Sequence, residues 1–262
     1  MVTRARLDAE LVRRGLARSR GQAAELIEAG RVAVRGIPAE KPATVVDRDT
    51  PVTVVATAER QWASRGAHKL IGALDALAVD PAGLRCLDAG ASTGGFTDVL
   101  LDRGAREVIA VDVGYGQLVW RLRSDARVRV HDRTNVRALT PAEIGGPAQL
   151  TVADLSFISL RTVLPALAAC TEGVLLPMVK PQFEVGKHRL GAGGVVRDPE
   201  LRLAALRDVA AAARELGLRL TGAVASPLPG PSGNVEFFLC LRRDVGDVGD
   251  DALSHAVEMG PS

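Results

Sequence analysis

Cysteine, aromatic residues and long apolar runs are all scarce in this chain, and each shortage excludes something. Three cysteines, Cys86, Cys170 and Cys240, stand alone inside apolar runs with no CxxC spacing. That excludes a disulfide scaffold and a thiolate metal centre, and leaves buried free thiols; no metal is expected. Aromatic residues are 3% of the chain, so the core must be built from Val, Leu, Ile and Ala. No apolar run approaches the roughly 18 residues of a membrane span, and the first residues carry no signal-peptide pattern, so a cytoplasmic protein is expected. A membrane-lytic, aromatic-rich amphipathic helix is missing too. Lys and Arg vanish from residues 244–262, which carry five acids (Asp244, Asp247, Asp250, Asp251, Glu258). With no apolar pattern there, a disordered tail is expected. Without that tail, residues 1–243 carry +7 against +2 for the whole chain, a mild basic surplus that permits a polyanionic partner.

What remains is ordinary for a folded chain: 262 residues, 47% hydrophobic and 24% charged. That is enough for one α/β domain and a small extra module. The module comes first. Residues 3–36 read as helix, turn, helix, strand. Leu7, Leu11 and Val12 recur at helical spacing, Gly15 ends the first helix, and Ser19 caps a second that stops at Gly30. Val32 and Val34 then share one face of a strand before Gly36 turns. Residues 1–60 hold eleven Lys or Arg against eight Asp or Glu, and arginines crowd the first helix and the turn after it. The runs TVV and VTVV complete a small sheet. Residues 60–63 read as a linker, with Trp62 placed to dock. The expected division is 1–59, linker 60–63, a larger domain 64–243, and the tail 244–262.

From Ser64 strands and helices alternate. A helix over 64–77 leads to a strand at 84–87, and a helix opens at Phe96. Strands follow at 107–114, 128–135, 149–160 and 173–183, with helices at 117–126 and 161–171 between them. Residues 184–198 are glycine-rich and read as an active-site loop. A helix over 199–216 precedes two closing strands joined by PGPSGN. This alternation predicts a mostly parallel, doubly wound Rossmann-like sheet whose final strand pair is antiparallel.

The stretch LRCLDAGASTGGFT, residues 84–97, organises that domain. A strand ending in glycines and feeding a helix receives nucleotide-like ligands, because glycine lets the backbone come close and the helix start offers free N–H groups. A dinucleotide site wants G-x-G-x-x-G, and here the second glycine is replaced by Ser92. Asp112, about 20 residues on, suits ribose hydroxyls of either an NAD-type or an S-adenosylmethionine-type ligand. Asp88 separates the two: a carboxylate repels pyrophosphate but suits a sulfonium or ammonium cation, which favours S-adenosylmethionine. A plain role for Asp88 as a cap of the following turn is the alternative.

Methyl transfer to a ribose hydroxyl needs groups that orient the oxygen and relieve its proton. Asp154 and Lys180 stand at strand ends, Glu236 at the start of the last strand, and Lys69 on the helix leading into the domain. Taken singly, Lys69 and Glu236 read as structural.

Two resemblances sharpen this. Arg6-Leu7-Asp8, Leu11, Ser19-Arg20, Ala23, Leu26-Ile27, Gly30, Val32 and Val34 resemble the S4-type RNA-binding module of the small-subunit ribosomal protein four, although Arg35 stands where that family has Asn. SRGAHKL (64–70), DAGASTGGFTD (88–98), VDVGYGQL (111–118), DRTN (132–135), DLSFISL (154–160), VKPQFEVG (179–186) and GGVVRD (193–198) resemble the TlyA group of ribosomal RNA 2′-O-ribose methyltransferases, relatives of the FtsJ-type enzymes. The resemblance implies a catalytic tetrad of Lys69, Asp154, Lys180 and Glu236. It implies S-adenosylmethionine held by Asp88, Gly90, Ala91, Ser92, Thr93, Gly94, Gly95, Phe96, Asp112, Asp132 and Asp154. RNA contacts are expected from Arg4, Arg6, Arg14, Arg18, Arg20 and Arg65. It further implies ribosomal RNA or ribosomal subunits as partner, methylation of both subunits, and a link to capreomycin- and viomycin-type antibiotics. A monomer is expected. The other classes weighed are a haemolysin or pore former, and a non-catalytic RNA-binding protein.

Overall fold

The computed structural model describes residues 4–17, 19–55, 60–186, 189–243 and 245–261. The chain forms two compact units, Met1–Gln61 and Trp62–Ser262.

The first unit runs β1 (Arg4–Arg6), α1 (Leu7–Arg13), α2 (Arg20–Glu28), β2 (Val32–Val34), β3 (Ile37–Pro38), β4 (Val45–Asp47) and β5 (Val52–Val54). Leu7, Leu11, Ala23, Ile27 and Val32 form its core at 0–1% exposure. Ser19 caps α2 by accepting the Gln22 N–H. Residues 4–6, expected to begin the first helix, are instead a strand paired antiparallel with β4, Arg4 opposite Asp47. Alternation there sends Ala5 inward and both arginines outward, which a strand edge accommodates and a buried helix start does not. The β2–β3 turn is two residues long, with Arg35 at φ +54° and Gly36 at φ +81°, the twist a tight hairpin requires.

The second unit contains α3 (Gly66–Ala76), β6 (Arg85–Ala89), α4 (Gly95–Asp102), β7 (Glu107–Val111), α5 (Trp120–Arg123), β8 (Val128–His131) and β9 (Ala148–Ala153). It continues with α6 (Leu160–Ala169), β10 (Thr171–Val179), α7 (Pro181–Glu184), α8 (Pro199–Glu215), β11 (Arg219–Ala225), β12 (Phe237–Arg242) and α9 (Asp251–Glu258). Its seven strands lie in the order β11-β12-β10-β9-β6-β7-β8. All neighbours are parallel except β12, which runs antiparallel to both β10 and β11. Apolar clusters cover both faces, one centred on Leu87, Ile109, Leu164 and Phe237, the other on Leu70, Leu100, Leu150 and Phe238. Trp62 packs against the second cluster, and the Ala63 N–H binds the buried Asp98 carboxylate at 2.9 Å. All three cysteines are buried and free; burial pushes the Cys86 thiol up to about 12.

The tail expected to be disordered is built into this unit. Leu253, Ala256 and Val257, spaced i, i+3, i+4, are buried on one face of α9. The preceding chain runs along the edge strand β11: the Val248 N–H donates to Leu220 O at 2.9 Å, and Asp247 accepts the Leu220 N–H at 3.1 Å. Two of the acids that suggested disorder are matched by arginines of α8, Arg214 to Asp247 and Arg207 to Asp250, both at 2.9 Å. Full burial of Leu253 alone is worth about 2 kcal/mol.

Candidate active site

Four strand ends build the site. β6, β9 and β10 run the same way and finish at one sheet edge; β12, being antiparallel, starts there. Asp154 follows β9, Lys180 follows β10, and Glu236 precedes β12. Val179 stands opposite Phe237, which puts Lys180 and Glu236 at the same step of that edge. The fourth member arrives from α3, whose Ala67, Leu70, Ala73 and Leu74 are buried and hold Lys69 inward at 8% exposure. Gly95 makes this approach possible, since a Cβ there would collide with the Ser64 hydroxyl just ahead of α3.

The four charges sort into two ion pairs. Lys180 Nζ lies 2.6 Å from Asp154 Oδ1 and donates to Ser156 Oγ at 3.0 Å. Lys69 Nζ donates to Glu236 Oε2 at 2.5 Å. Lys180 is 8% exposed and Glu236 1%, whereas the Asp154 side chain retains 27%. Such buried pairs exist only where each charge has its partner, and removing one member strands the other. Ser156 was not singled out in the sequence; it lies within DLSFISL, two residues past Asp154.

The glycine turn lies beside them. Gly90 has φ +88°, and a Cβ on it would fall on the Asp154 carbonyl oxygen, so only glycine lets the loop pass. Gly94 turns at φ +101° against Leu118 and Leu122. Ala91 is buried, while Ser92 and Thr93 are exposed. Phe96 is buried with its ring 6.0 Å from that of Phe238. Asp112 braces the loop from β7: Oδ2 accepts the Ser92 N–H at 2.8 Å and Oδ1 the Gly114 N–H at 2.7 Å. Asp132, after β8, pairs with Arg123 at 2.8 Å, and that hydrogen bond holds its carboxyl below the usual range. Asp88 is fully buried. Its Oδ2 accepts from the Thr97 hydroxyl at 2.6 Å, the Thr97 backbone N–H also favours the carboxylate, and among the described residues Oδ1 has no hydrogen-bond partner. Next to Asp112, a cavity of about 170 Å³ opens between Val113, Thr134, Leu155 and Ser156.

The arginines of the first unit divide. Arg6 and Arg20 both bind Asp8, each at 3.0 Å, with 49% and 59% of their side chains exposed. Arg4, 76% exposed, lies 3.4 Å from Asp47. Arg14 does not join them: its guanidinium is taken up by Glu10, Thr50 O and Arg48 O, and it ties α1 to the β4–β5 turn. Those contacts tie Arg14 into the fold and leave 19% of its side chain exposed. Arg18 lies outside the described residues. Arg65 is exposed just ahead of α3.

Comparisons with known proteins match both parts of the chain. The FtsJ-like methyltransferase family matches residues 62–243, and the S4 domain matches residues 5–52. A 16S/23S rRNA (cytidine-2′-O)-methyltransferase TlyA of Mycobacterium tuberculosis is 62% identical over the full length of both chains. Hemolysin A of Brachyspira hyodysenteriae is 33% identical, over 88% of this chain and 97% of its own. A hemolysin-named protein of Streptococcus thermophilus, known by its solved structure, superposes with a TM-score of 0.77 at 36% identity, covering 98% of this chain and 96% of its own. On the extent of these matches, the chain belongs to the FtsJ-like methyltransferases, in the TlyA family, with an S4 domain ahead of the methyltransferase domain.

Proposed function

We propose that the chain methylates the ribose 2′-hydroxyl of cytidine in the ribosomal RNA of both subunits, with S-adenosylmethionine as donor. In this reading it works in the cytoplasm, and its activity confers susceptibility to capreomycin- and viomycin-type antibiotics. The observation that carries it is Lys180 Nζ, buried at the sheet edge and held between Asp154 and Ser156. In the amine form that a base requires, this nitrogen has two N–H donors, which these two partners occupy, and one lone pair left for a substrate hydroxyl.

The residues fit a cationic donor on two counts. Asp88 Oδ1 is a buried carboxylate oxygen without a partner, a position that a positive ligand stabilises. Gly90 keeps the loop flat where a side chain would fill the approach to Asp154. When bound, S-adenosylmethionine supplies an electrophilic methyl group on a cationic sulfur. Asp112 and the slot beside Val113 suit its ribose and base; Asp132 borders the same edge. Lys180 accepts the hydroxyl proton as the new carbon–oxygen bond forms, and Asp154 stabilises the resulting ammonium. Glu236 holds Lys69 beside them.

The RNA side is supported by exposure. Tyr115, Trp120 and Phe157 are 67%, 79% and 92% exposed, three of only eight aromatics in the chain. Tyr115 and Phe157 sit on loops leaving β7 and β9 at the catalytic edge, and Arg133 lies 4.3 Å over the Tyr115 ring. Exposed rings and guanidinium planes on such an edge are what unpaired bases stack on. Among the described residues no helix is long and apolar enough to cross a membrane.

Incubation with tritiated S-adenosylmethionine and ribosomal subunits, followed by mapping of the labelled ribose, tests the proposal. Label at a cytidine 2′-oxygen is expected. Lys180→Ala should lower turnover by about 10³-fold while calorimetric donor binding stays unchanged. Wild-type turnover in that variant removes Lys180 from the mechanism; strong binding of a nicotinamide dinucleotide, with no heat from S-adenosylmethionine, overturns the donor.

A further inference from the structure

α6 starts without the cap its own sequence offers. Ser159 occupies the N-cap position, where a serine side chain ordinarily accepts a hydrogen bond from the first turn, yet it makes none. Its hydroxyl instead donates to Glu184 Oε2 at 2.6 Å, and Glu184 Oε1 accepts the Leu160 backbone N–H at 2.7 Å. The helix is capped from 24 residues further along the chain, by the last residue of α7. Glu184 is 6% exposed, and a carboxylate keeps so buried a place only when its oxygens are matched.

The position of this cap matters more than its strength. One short segment leaves β9 at Asp154 and reaches α6 at Ser159. Another leaves β10 at Lys180 and ends at Glu184. The Lys180–Asp154 pair joins the two segments where they start, and the Glu184 cap joins them where they finish. A closed ring results. Inside it lie Ser156, the second partner of Lys180, and Phe157, at φ +65° with its ring 5.5 Å from that of Phe183. Without the cap, the 154–159 segment loses two hydrogen bonds at its α6 end, and the hold of that segment on the Ser156–Lys180 contact loosens.

We infer that Glu184 is a positioning residue for methyl transfer: by capping α6 from α7 it holds Asp154 and Ser156 in register with Lys180. It touches none of the reacting atoms. The inference rests on the methyltransferase reading above. Displacement of a reacting group by about 1 Å costs about 100-fold in rate, with little effect on binding.

Two variants of the full chain separate geometry from charge. Glu184→Asp keeps the charge but, one methylene shorter, cannot reach both Ser159 and the Leu160 N–H. Glu184→Gln loses the charge but keeps the reach, its carbonyl accepting from Leu160 and its amide donating to a rotated Ser159 hydroxyl. Glu184→Asp should lower kcat about 10- to 100-fold, leave KM for RNA and donor affinity within about 3-fold, and speed hydrogen exchange at the Leu160 amide. Glu184→Gln should stay within about 3-fold of wild type in kcat, with Leu160 still protected. Wild-type kcat in Glu184→Asp overturns the inference, as does a Glu184→Gln loss equal to that of Glu184→Asp. The wild-type chain is assayed first: no methyl transfer to ribosomal RNA would instead overturn the methyltransferase reading, while Leu160 exchange would still report on the cap by itself.

Discussion

Asp8 and Asp88 are both buried aspartates, 4% and 0% exposed, one in each unit, and their environments are opposite. The Arg6 hydrogen bond first, then Arg20, brings the Asp8 carboxyl down to about 2. Arg13, then Arg14, does the same for Glu10, also to about 2. Burial pushes Asp88 the other way, up to about 7, with Asp154 and Asp112 adding to the push and the Thr97 hydrogen bond opposing it. The S4 domain thus balances its charges internally and leaves the outer sides of Arg6 and Arg20 in solvent. The methyltransferase domain leaves one acid unbalanced in its cofactor turn. The first arrangement leaves cationic surface whose attraction for an anion would be graded and salt-sensitive; the second holds a carboxylate whose charge is disfavoured and which a nearby cation would relieve.

Titration gives the largest test of this contrast. A carboxyl whose folded pKa is raised has no penalty below the unfolded value of about 3.9, where both states are protonated. As pH climbs from about 4 to about 7 the unfolded chain ionises and the folded one resists, so stability falls over that window, by up to about 4 kcal/mol. Urea unfolding of the ligand-free protein should show this loss, and Asp88→Asn should remove it. The same variant should bind S-adenosylmethionine about 10-fold less tightly, the worth of one nearby opposite charge acting through a partly screened interior. An unchanged pH slope in Asp88→Asn would mean that Asp88 is satisfied in the fold, and the contrast with Asp8 would break.

Asp88 stands out in the sequence because the signal is local: an apolar strand, an acid, then glycines opening a helix. The ends of β9, β10 and β12 are legible for the same reason, since Asp154, Lys180 and Glu236 each interrupt or border an apolar run. Their partners are not. Pairing Lys180 with Asp154, and Lys69 with Glu236, depends on the strand order β12-β10-β9 and on α3, which no local pattern specifies. Ser156 and Glu184 lie in DLSFISL and VKPQFEVG, yet their contacts join residues 24 apart in the chain. The α9 misreading has a different cause. Leu253, Ala256 and Val257 are too few to stand out among five acids, and the arginines that match two of those acids lie on another helix. Charge alone does not separate Arg14 from its neighbours; the fold does, by turning its donors to backbone carbonyls.

The exposed side of the contrast is tested by salt. Replacing Arg6 and Arg20 together by Ala should weaken ribosomal RNA binding about 10- to 30-fold near physiological salt, and lower the slope of log affinity against log salt by nearly two. Asp8 then loses both partners. The guanidiniums are about half exposed but Asp8 is buried, so its stranded carboxylate should show as a drop in Tm. At saturating RNA, turnover should stay at the wild-type level. A fall in turnover matching the loss of affinity would show that the arginines do more than attract, and the two units would no longer divide binding from chemistry.

The smallest effect concerns Arg35, which the S4 resemblance marks as a departure from Asn. Its φ of +54° lies in the left-handed region, where a Cβ-bearing side chain is strained and Asn is tolerated best after glycine. Because the β2–β3 turn needs positive φ at both central residues, Arg35→Asn should stabilise the chain by about 0.5 kcal/mol, read as a rise in urea midpoint without a change in slope. Among the described residues no carboxylate holds Arg35 as Asp8 holds Arg6 and Arg20, so its charge is not pre-oriented, and the variant should leave RNA affinity within about 2-fold. A larger loss of affinity would place Arg35 among the RNA contacts. It would also show that an arginine kept in a strained turn, without an acid to orient it, is retained for its charge, so orientation by buried acids would not be what distinguishes the binding arginines.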